Sequence, residues 1–474
     1  MSSLSDLLNT IRAGCIGQLS LRAASSIVLR AAGIAMAFVT VLSPVAFGQG
    51  DQRGDMVGRS VLKQYEFVNG RWFDGRQFQD ATLYTKDGRL TKTKPAIVDA
   101  QVDLKRGFVV PPFGEAHNHN VEGPWNLEET VVRYLHDGVF YVKNPNSIRE
   151  FTSQISGQIN KPWSIDVVFA NAGLTSSGGH PIPLYEHVLR ESRYKALIGE
   201  VPAGWFKNRG YVVTDNEADL QRQWTEIVAG KPEFLKVYLA HSEDARRSSL
   251  ADGAAGRKGL DPALVPSIVA RAHRERLHVT AHVETAADFR VAVSAGVDEI
   301  AHVPGWLLGS SEEAPQLLLT DEDARQAARA GVVVVTTTVA MQPQAGGHGH
   351  HGAQSHSFTI EASLWPKAQE IQTKNLRLLH QHGVKLAIGS DHAATSLAEA
   401  LHLHELGVFD NLSLLKLWCE QTPQAIFPER RIGRLEEGYE ASFLVLKENP
   451  IEKFEAVTEM TFRMKQGHVL QGKQ

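Results

Sequence analysis

Residues 277–303 read LHVTAHVETAADFRVAVSAGVDEIAHV, a segment with two apolar runs and a longer stretch of mixed polarity between them. The runs at 277–283 and 299–303 have the composition of buried strands, and the stretch between them has the spacing of an amphipathic helix. His282 and His302 fall near the ends of the two runs. A strand, a helix and a second strand in this order predict parallel pairing, with the helix as the crossover.

The same alternation continues along most of the chain. Eight predicted strands lie at residues 108–110, 139–143, 165–170, 234–240, 277–283, 299–303, 332–338 and 384–390. Typical helix start and stop residues lie between them: Asn126 with Gly138, Asp261 with Pro262, and Thr320 with Gly331. Eight such units predict an α/β fold of the (β/α)8 TIM-barrel type. An open doubly wound sheet is the alternative, although no Gly-rich phosphate loop follows a strand.

The segments on either side of this region are typical of short strands joined by tight turns. Residues 61–106 contain three dipeptides that tolerate the positive φ angles of hairpin turns, namely Asn69-Gly70, Asp74-Gly75 and Asp87-Gly88. Residues 441–446 and 462–464 have similar apolar runs near the C-terminus. Both flanks are therefore predicted to be β-rich.

Composition excludes several classes of protein. The 474 residues include 49 Lys+Arg and 53 Asp+Glu, for a net charge of −4. This balance offers no basic surface, so we expect no nucleic-acid partner. The two cysteines, Cys15 and Cys419, exclude a disulfide scaffold and a Cys-rich zinc module.

The N-terminal segment is typical of an export signal. A leader with three arginines precedes an uncharged run at residues 31–42, and the small residues Ala46 and Gly48 follow. We therefore predict a signal peptide at residues 1–48 and export to a bacterial periplasm. An uncleaved membrane anchor is the alternative, but the run is shorter than the roughly 20 residues that cross a bilayer. No later segment is apolar enough to span a membrane.

Polar side chains recur at the carboxyl ends of the predicted strands, where barrels of this type gather their chemistry. They are His117, His119, Lys236, His282, His302 and Asp391. His117 and His119 are two residues apart, so both imidazoles lie on one face of an extended strand and suit one metal ion. Each residue also has a plainer interpretation, as a packed core histidine or, for Asp391, as a helix cap.

Lys236 is stronger evidence for a functional site than the histidines are. The alternation of strand residues places it on the same face as Phe234 and Tyr238, where an unpaired ammonium is costly. A buried salt bridge would relieve this cost. The other interpretation is a neutral amine that reacts with carbon dioxide and bridges two metal ions as a carbamate. Spacing alone leaves both open.

Taken together, these residues resemble the amidohydrolase superfamily, in its branch with a two-metal centre. Residues 111–119, Pro-Pro-Phe-Gly-Glu-Ala-His-Asn-His, are similar to the motif Pro-Gly-x-x-Asp-x-His-x-His that enters the first barrel strand in the family. The Pro-Pro pair and Glu115 depart from the motif, but neither occupies a metal-ligand position. The family's lysine of strand four, histidines of strands five and six, and aspartate of strand eight match Lys236, His282, His302 and Asp391. The resemblance covers nearly all of residues 60–470.

The resemblance implies a domain arrangement and a chemistry. A barrel at residues 107–430 would carry a small β-sandwich built from residues 59–106 and 431–474. His117, His119 and Asp391 would bind one divalent metal, and His282 and His302 a second. An N6-carboxylated Lys236 and a hydroxide would bridge the two. Zinc suits these ligands, while manganese, iron and cobalt stay open. Asp391 would be the catalytic proton acceptor in hydrolysis of a small-molecule amide, with a dipeptide or N-acyl amino acid as the leading candidates.

Substrate contacts are predicted at two further residues. The segment 175–180 is similar to the Gly-Gly-His loop of the prolidase and imidazolonepropionase branch, which makes His180 a candidate substrate contact. Tyr238, on the face of Lys236, is the second. The alternatives are an ordinary loop residue and barrel filling. The His-rich segment 346–356 is expected to be a mobile loop over the active site, with weak metal capture as a functional alternative.

Two other functions stay open at this point. One is a mononuclear-metal deaminase, because His282-Val283-Glu284 has some similarity to the His/Glu arrangement of such enzymes; these do not need Lys236. The other is a non-catalytic periplasmic metal-binding protein, which the His-rich segment and Glu115 would suit. The sequence also leaves open a homo-oligomeric state.

Overall fold

The computed structural model describes residues 62–244, 257–343 and 359–470 and arranges their strands in three sheets. The predicted signal peptide at 1–48 and the His-rich segment at 346–356 lie outside these residues. In chain order the strands are β1 (Tyr65–Phe73), β2 (Phe78–Lys86), β3 (Arg89–Thr91), β4 (Ala100–Asp103), β5 (Phe108–Val110), β6 (Phe113–Glu115), β7 (Val139–Asn144), β8 (Asp166–Phe169), β9 (Gly173–Thr175), β10 (Tyr211–Val213), β11 (Leu235–Tyr238), β12 (Val279–His282), β13 (Glu299–Ala301), β14 (Val333–Val335), β15 (Lys385–Ala387), β16 (Phe443–Leu446), β17 (Met460–Lys465) and β18 (His468–Val469).

The two flanks of the chain form one eight-stranded sheet. Its order is β18-β17-β16-β5-β1-β2-β3, and β4 pairs with β1. Asp87 and Gly88 join β2 to β3 with φ angles of 52° and 75°, as predicted for a two-residue hairpin turn. Asn69-Gly70, in contrast, lies inside β1 at a register shift against β2, so this dipeptide makes a bulge and not a turn.

The parallel strands occupy the middle of the chain. One sheet has the order β6-β7-β8, and a seven-stranded sheet has the order β10-β9-β11-β12-β13-β14-β15. All pairings within these two sheets are parallel. The prediction of parallel strands alternating with helices is therefore confirmed, and seven of the eight predicted strand positions contain one of these strands.

The prediction for the first parallel strand is wrong, because the predicted residues belong to the flank sheet. Residues 108–110 form β5, which pairs with β1 and β16 of the flank sheet. The first parallel strand is β6, after Pro111 and Pro112. Proline has no backbone N–H to donate to a ladder, so the chain leaves one sheet here and enters another. β9 and β10 were not predicted, because three residues are too few to show a period.

α-Helices cover the parallel strands. They are α1 (Leu127–His136), α2 (Arg149–Ile155), α3 (Lys195–Ile198), α4 (Glu217–Ala229), α5 (Val265–Arg274), α6 (Ala286–Ala295), α7 (Ala314–Leu317), α8 (Asp321–Ala330), α9 (Trp365–Gln381), α10 (Ser396–Glu405), α11 (Asn411–Lys416) and α12 (Thr422–Ile426), and a π-helical segment spans Leu184–Tyr194. Thr320 and Asp323 form a capping box at the start of α8, and Gly331 ends the helix with φ 69°, as predicted. Asn126 precedes α1, but its side chain makes no capping hydrogen bond. Among the residues described, no helix has the length and apolarity of a membrane span.

A buried ionic cluster joins the flank sheet to the parallel strands. Asp166 at the start of β8 accepts a hydrogen bond from Lys465 Nζ of β17 at 2.6 Å and one from Arg430 Nη1 at 2.7 Å. The Lys465 side chain has no exposed surface, and Asp166 is 3% exposed. Arg430 Nη2 also donates to Glu440 at 2.6 Å.

We expect Asp166→Ala to lower the free energy of unfolding by about 3–5 kcal/mol, because it leaves the Lys465 ammonium buried without its counter-charge. Denaturant unfolding followed by circular dichroism measures the change. Glu459→Ala is the matched control, since it breaks an exposed pair with Lys447 and should cost at most about 1 kcal/mol. Equal losses for the two variants would contradict this account of the cluster.

Candidate metal centre

Four histidines, a lysine and an aspartate lie at the carboxyl ends of the parallel strands. His117 and His119 follow β6, Lys236 lies within β11, His282 ends β12, His302 follows β13, and Asp391 lies four residues after β15. All are buried except His119, whose side chain is 23% exposed. Parallel strands bring their carboxyl ends to one edge, so residues almost three hundred positions apart meet there.

The four histidines and Asp391 each lie within a few ångströms of a neighbour in this group. Asp391 Oδ1 is 3.8 Å from His117 Nε2 and 3.4 Å from His119 Nε2. The His302 ring centroid is 4.7 Å from that of His117 and 4.7 Å from that of His282. Potential ligand atoms of His117, His302 and Asp391 all lie within 4.8 Å of one another.

This arrangement fits a bound cation. His117 Nδ1 and Asp391 Oδ1 are buried without a hydrogen-bond partner, which is costly unless a ligand completes them. His302 Nδ1 lies 2.8 Å from Thr337 Oγ1, so this contact orients the ring and leaves Nε2 free. Imidazole nitrogens together with a carboxylate are the donors that zinc and similar metals prefer.

The protonation states of these side chains also suit metal binding. Burial lowers the pKa of His117 and His302 well below the ordinary value and that of His119 to about 4, so these rings are neutral, the form that binds metals. Burial lowers the pKa of Lys236 to about 7, against the opposing effect of Asp391. Burial acts to raise the pKa of Asp391, but the neighbouring His392, His119, Lys236 and His282 together hold the pKa below its ordinary value.

Comparison with known proteins shows the family to which the chain belongs. The model of the Amidohydrolase family matches residues 212–471, which is more than half of the chain. The chain belongs to the amidohydrolase family. The resemblance drawn from the residue pattern is thereby confirmed. The matched residues contain Lys236, His282, His302 and Asp391 but begin after His117 and His119.

The chain is also similar to an ochratoxinase and to a Xaa-Pro dipeptidase. Ochratoxinase from Aspergillus niger is 26% identical over 207 residues, which are 42% of this chain and 38% of that protein's length. The crystal structure of A. niger ochratoxinase has a TM-score of 0.64 at 17% identity, over 86% of this chain and 96% of that one. A Xaa-Pro dipeptidase with bound methionine in the active site has a TM-score of 0.63 at 16% identity, over 86% of this chain and all of that one. At these identities the structures show a shared fold.

Glu115, which departs from the superfamily motif, has a clear structural role in this amidohydrolase. Its carboxylate accepts hydrogen bonds from Ser390 N at 2.8 Å, from the Ser390 hydroxyl at 2.5 Å and from His117 N at 3.3 Å. Ser390 directly precedes Asp391. The longer glutamate side chain thus ties the end of β6 to the segment after β15, and predicted ligands follow at both places.

The predicted substrate residues lie beside the same group. The His180 ring stacks on that of His282, with centroids 4.6 Å apart, and lies 5.3 Å from the ring of Tyr238. Lys236 Nζ is 5.6 Å from the Tyr238 ring centroid. A Cβ on Gly173 of β9 would lie 2.4 Å from Tyr238 Cε2, so glycine at this position leaves the space that the Tyr238 ring occupies.

Three residues at the centre escaped the sequence analysis. Trp306 stacks on His302 with centroids 4.2 Å apart. His392 Nε2 lies 3.4 Å from Asp391 Oδ1. Asn146, two residues after β7, bonds the hydroxyl of Tyr238. Of the three, only His392 could have been found from the sequence, because it directly follows Asp391. Trp306 and Asn146 lie in loops, where the sequence has no periodic pattern that predicts the direction of a side chain.

Proposed function

We propose that this chain is a metal-dependent hydrolase of amide C–N bonds in a small substrate, with dipeptides and N-acyl amino acids as the leading classes. The observation that carries the proposal is the buried group of His117, His302 and Asp391, with two orphaned polar atoms and ligand atoms within 4.8 Å. Membership of the amidohydrolase family supports hydrolysis as the reaction. Similarity to a dipeptidase and to ochratoxinase supports an amide substrate.

The architecture that we propose for this activity is a closed barrel of β6, β7, β8, β11, β12, β13, β14 and β15. Two backbone hydrogen bonds between the parallel sheets support closure, Ala116 N to Ile388 O at 2.8 Å and Glu233 N to Phe169 O at 3.0 Å. The flank sheet would then be the small β-sandwich domain, from residues 59–106 and 431–474, with β5 added to it.

His117, His119 and Asp391 would hold one divalent cation and His282 and His302 a second, with an N6-carboxylated Lys236 between them. Bound there, two such ions, zinc foremost, would activate water and polarise the amide carbonyl. Asp391 is ionised, and as the general base it would take a proton from the attacking water and deliver it to the leaving nitrogen. His180 and Tyr238 would contact the substrate, and the burial of the group would exclude bulk water from the reaction.

The direct test combines metal analysis with turnover. Protein prepared with zinc and bicarbonate should bind two ions per chain and release amino acid from members of a panel of dipeptides and N-acyl amino acids. One ion per chain with ammonia release from amino-substituted heterocycles would favour the deaminase instead. Full metal loading without turnover of any compound would favour a non-catalytic metal-binding protein.

We also propose that the chain is exported, with residues 1–48 removed as a signal peptide. The arginine-containing leader and the small residues Ala46 and Gly48 support this. N-terminal sequencing of protein recovered from the periplasm of an expressing bacterium should begin close to residue 49. Recovery of the intact N-terminus from the membrane fraction would support the anchor instead.

A further inference from the structure

Asn146 connects Tyr238, beside the candidate metal centre, to Tyr185. Its Nδ2 donates a hydrogen bond to the Tyr238 hydroxyl, and its Oδ1 accepts one from the Tyr185 hydroxyl at 3.0 Å. Its backbone N–H donates to Asn144 Oδ1 at 3.1 Å. Asn146, Tyr238 and Tyr185 are all at least 95% buried. The amide is thus held on both sides, in a site that water does not compete for.

The direction of these hydrogen bonds decides what Tyr238 can do. A phenol has a single hydrogen, and the Tyr238 oxygen already accepts from the Asn146 amide. The hydroxyl hydrogen of Tyr238 is therefore not used on Asn146 and remains for another acceptor. The centroid of the Tyr238 ring lies 5.3 Å from that of His180 and 5.6 Å from Lys236 Nζ, so Tyr238 belongs to the wall of the candidate metal centre.

We infer that Asn146 is a positioning residue that presents Tyr238 to the substrate as a hydrogen-bond donor. The site accordingly selects amides that carry a hydrogen-bond acceptor beside the scissile bond, and foremost the free carboxylate of a dipeptide or N-acyl amino acid. This inference rests on the proposed amide hydrolysis and adds the group by which the substrate is recognised.

Asn146→Asp is the sharpest variant, because it keeps the shape and replaces the donor by an acceptor. The Tyr238 hydroxyl then donates to the introduced carboxylate and no longer to the substrate. We expect KM for an N-acyl amino acid to rise roughly 10- to 100-fold, as for loss of a hydrogen bond to a charged group, with kcat changed less than about threefold. Asn411→Asp, where the amide donates to the Ile451 carbonyl of a remote segment, is the matched control.

A double-mutant cycle with Tyr238→Phe separates positioning from a general structural effect. If Asn146 acts through Tyr238, Asn146→Asp should raise KM no further in the Tyr238→Phe background. Independent, multiplicative effects of the two substitutions would overturn the inference. Tyr185→Phe provides a second route should the aspartate variant fold poorly: it removes the bond that fixes the amide oxygen. Its smaller rise in KM should also vanish in the Tyr238→Phe background, and persistence there would overturn the inference.

Binding of two probes separates this inference from the proposed function. Calorimetry should show tighter binding of N-acetyl-L-alanine than of N-acetyl-L-alaninamide to the wild-type protein, and no such preference in Asn146→Asp. Equal affinity of the wild type for both probes would overturn the inference. Absence of turnover together with a preference that Asn146→Asp removes would instead reject hydrolysis and support the recognition role.

Discussion

Replacing Asp391 with asparagine is expected to lower kcat by roughly 10²- to 10⁴-fold, the range for loss of a general base. Asparagine keeps the shape and the oxygen of the side chain, but it cannot take a proton from the attacking water. Its neighbours His117 and His119 remain in place, so the variant should still bind metal, although less tightly. The measurement is kcat on the substrate identified by the panel, with metal content determined on the same preparation.

The control for this substitution is Asp410→Asn, at the N-cap of α11. It makes the same chemical exchange at a helix end on the surface and should leave kcat unchanged. An Asp391→Asn protein with two bound ions and more than a tenth of wild-type kcat would remove Asp391 from the mechanism that we propose.

Lys236→Met should have the second largest effect. Methionine fills a similar volume in the buried strand but cannot be carboxylated, so it would remove the ligand that we propose between two cations. We expect loss of at least one bound ion per chain and a fall in kcat of roughly 10²-fold or more, with the fold retained. Elemental analysis and kinetics measure the two effects. Lys385→Met, at an exposed position of β15, is the control.

The pH dependence of metal loading gives an independent check on Lys236. Burial lowers the pKa of this lysine to about 7, and carbon dioxide reacts with the neutral amine. An amine becomes neutral as the pH rises above its pKa, so loading of metal-free protein with zinc and bicarbonate should be faster at pH 8 than at pH 6. In Lys236→Met this difference should disappear. Loading that is independent of bicarbonate in the wild type would argue for a bare amine at this position.

Short-range sequence patterns were sufficient to predict a large part of the fold. The capping box at Thr320 and the positive φ at Gly331 follow from residues within one helix. The apolar runs around Lys236 and His282 predicted strands, and parallel strands present their carboxyl ends at one edge whatever their lengths. For this reason six polar residues at predicted strand ends could be expected to lie close together. The structure places the four histidines and Asp391 next to one another, and Lys236 lies beside Tyr238.

These short-range patterns could not predict which distant segments pair with each other. Residues 108–110 have the composition of any buried strand, and only their partners β1 and β16 assign them to the flank sheet. Glu115 lies 275 positions from Ser390, and no spacing predicts that contact. The bonds from Asn146 to Tyr238 and Tyr185 depend in the same way on loops whose paths the whole fold sets.

The amino-acid sequence alone therefore determined the succession of strands and helices and the kinds of donor atom at the strand ends, because both depend on residue type and short-range period. The tertiary structure alone decided which sheet β5 joins, which buried atoms lack a partner, and which amide holds the Tyr238 hydroxyl. Those properties depend on distances between segments far apart in the chain, and such distances are fixed only when the core packs.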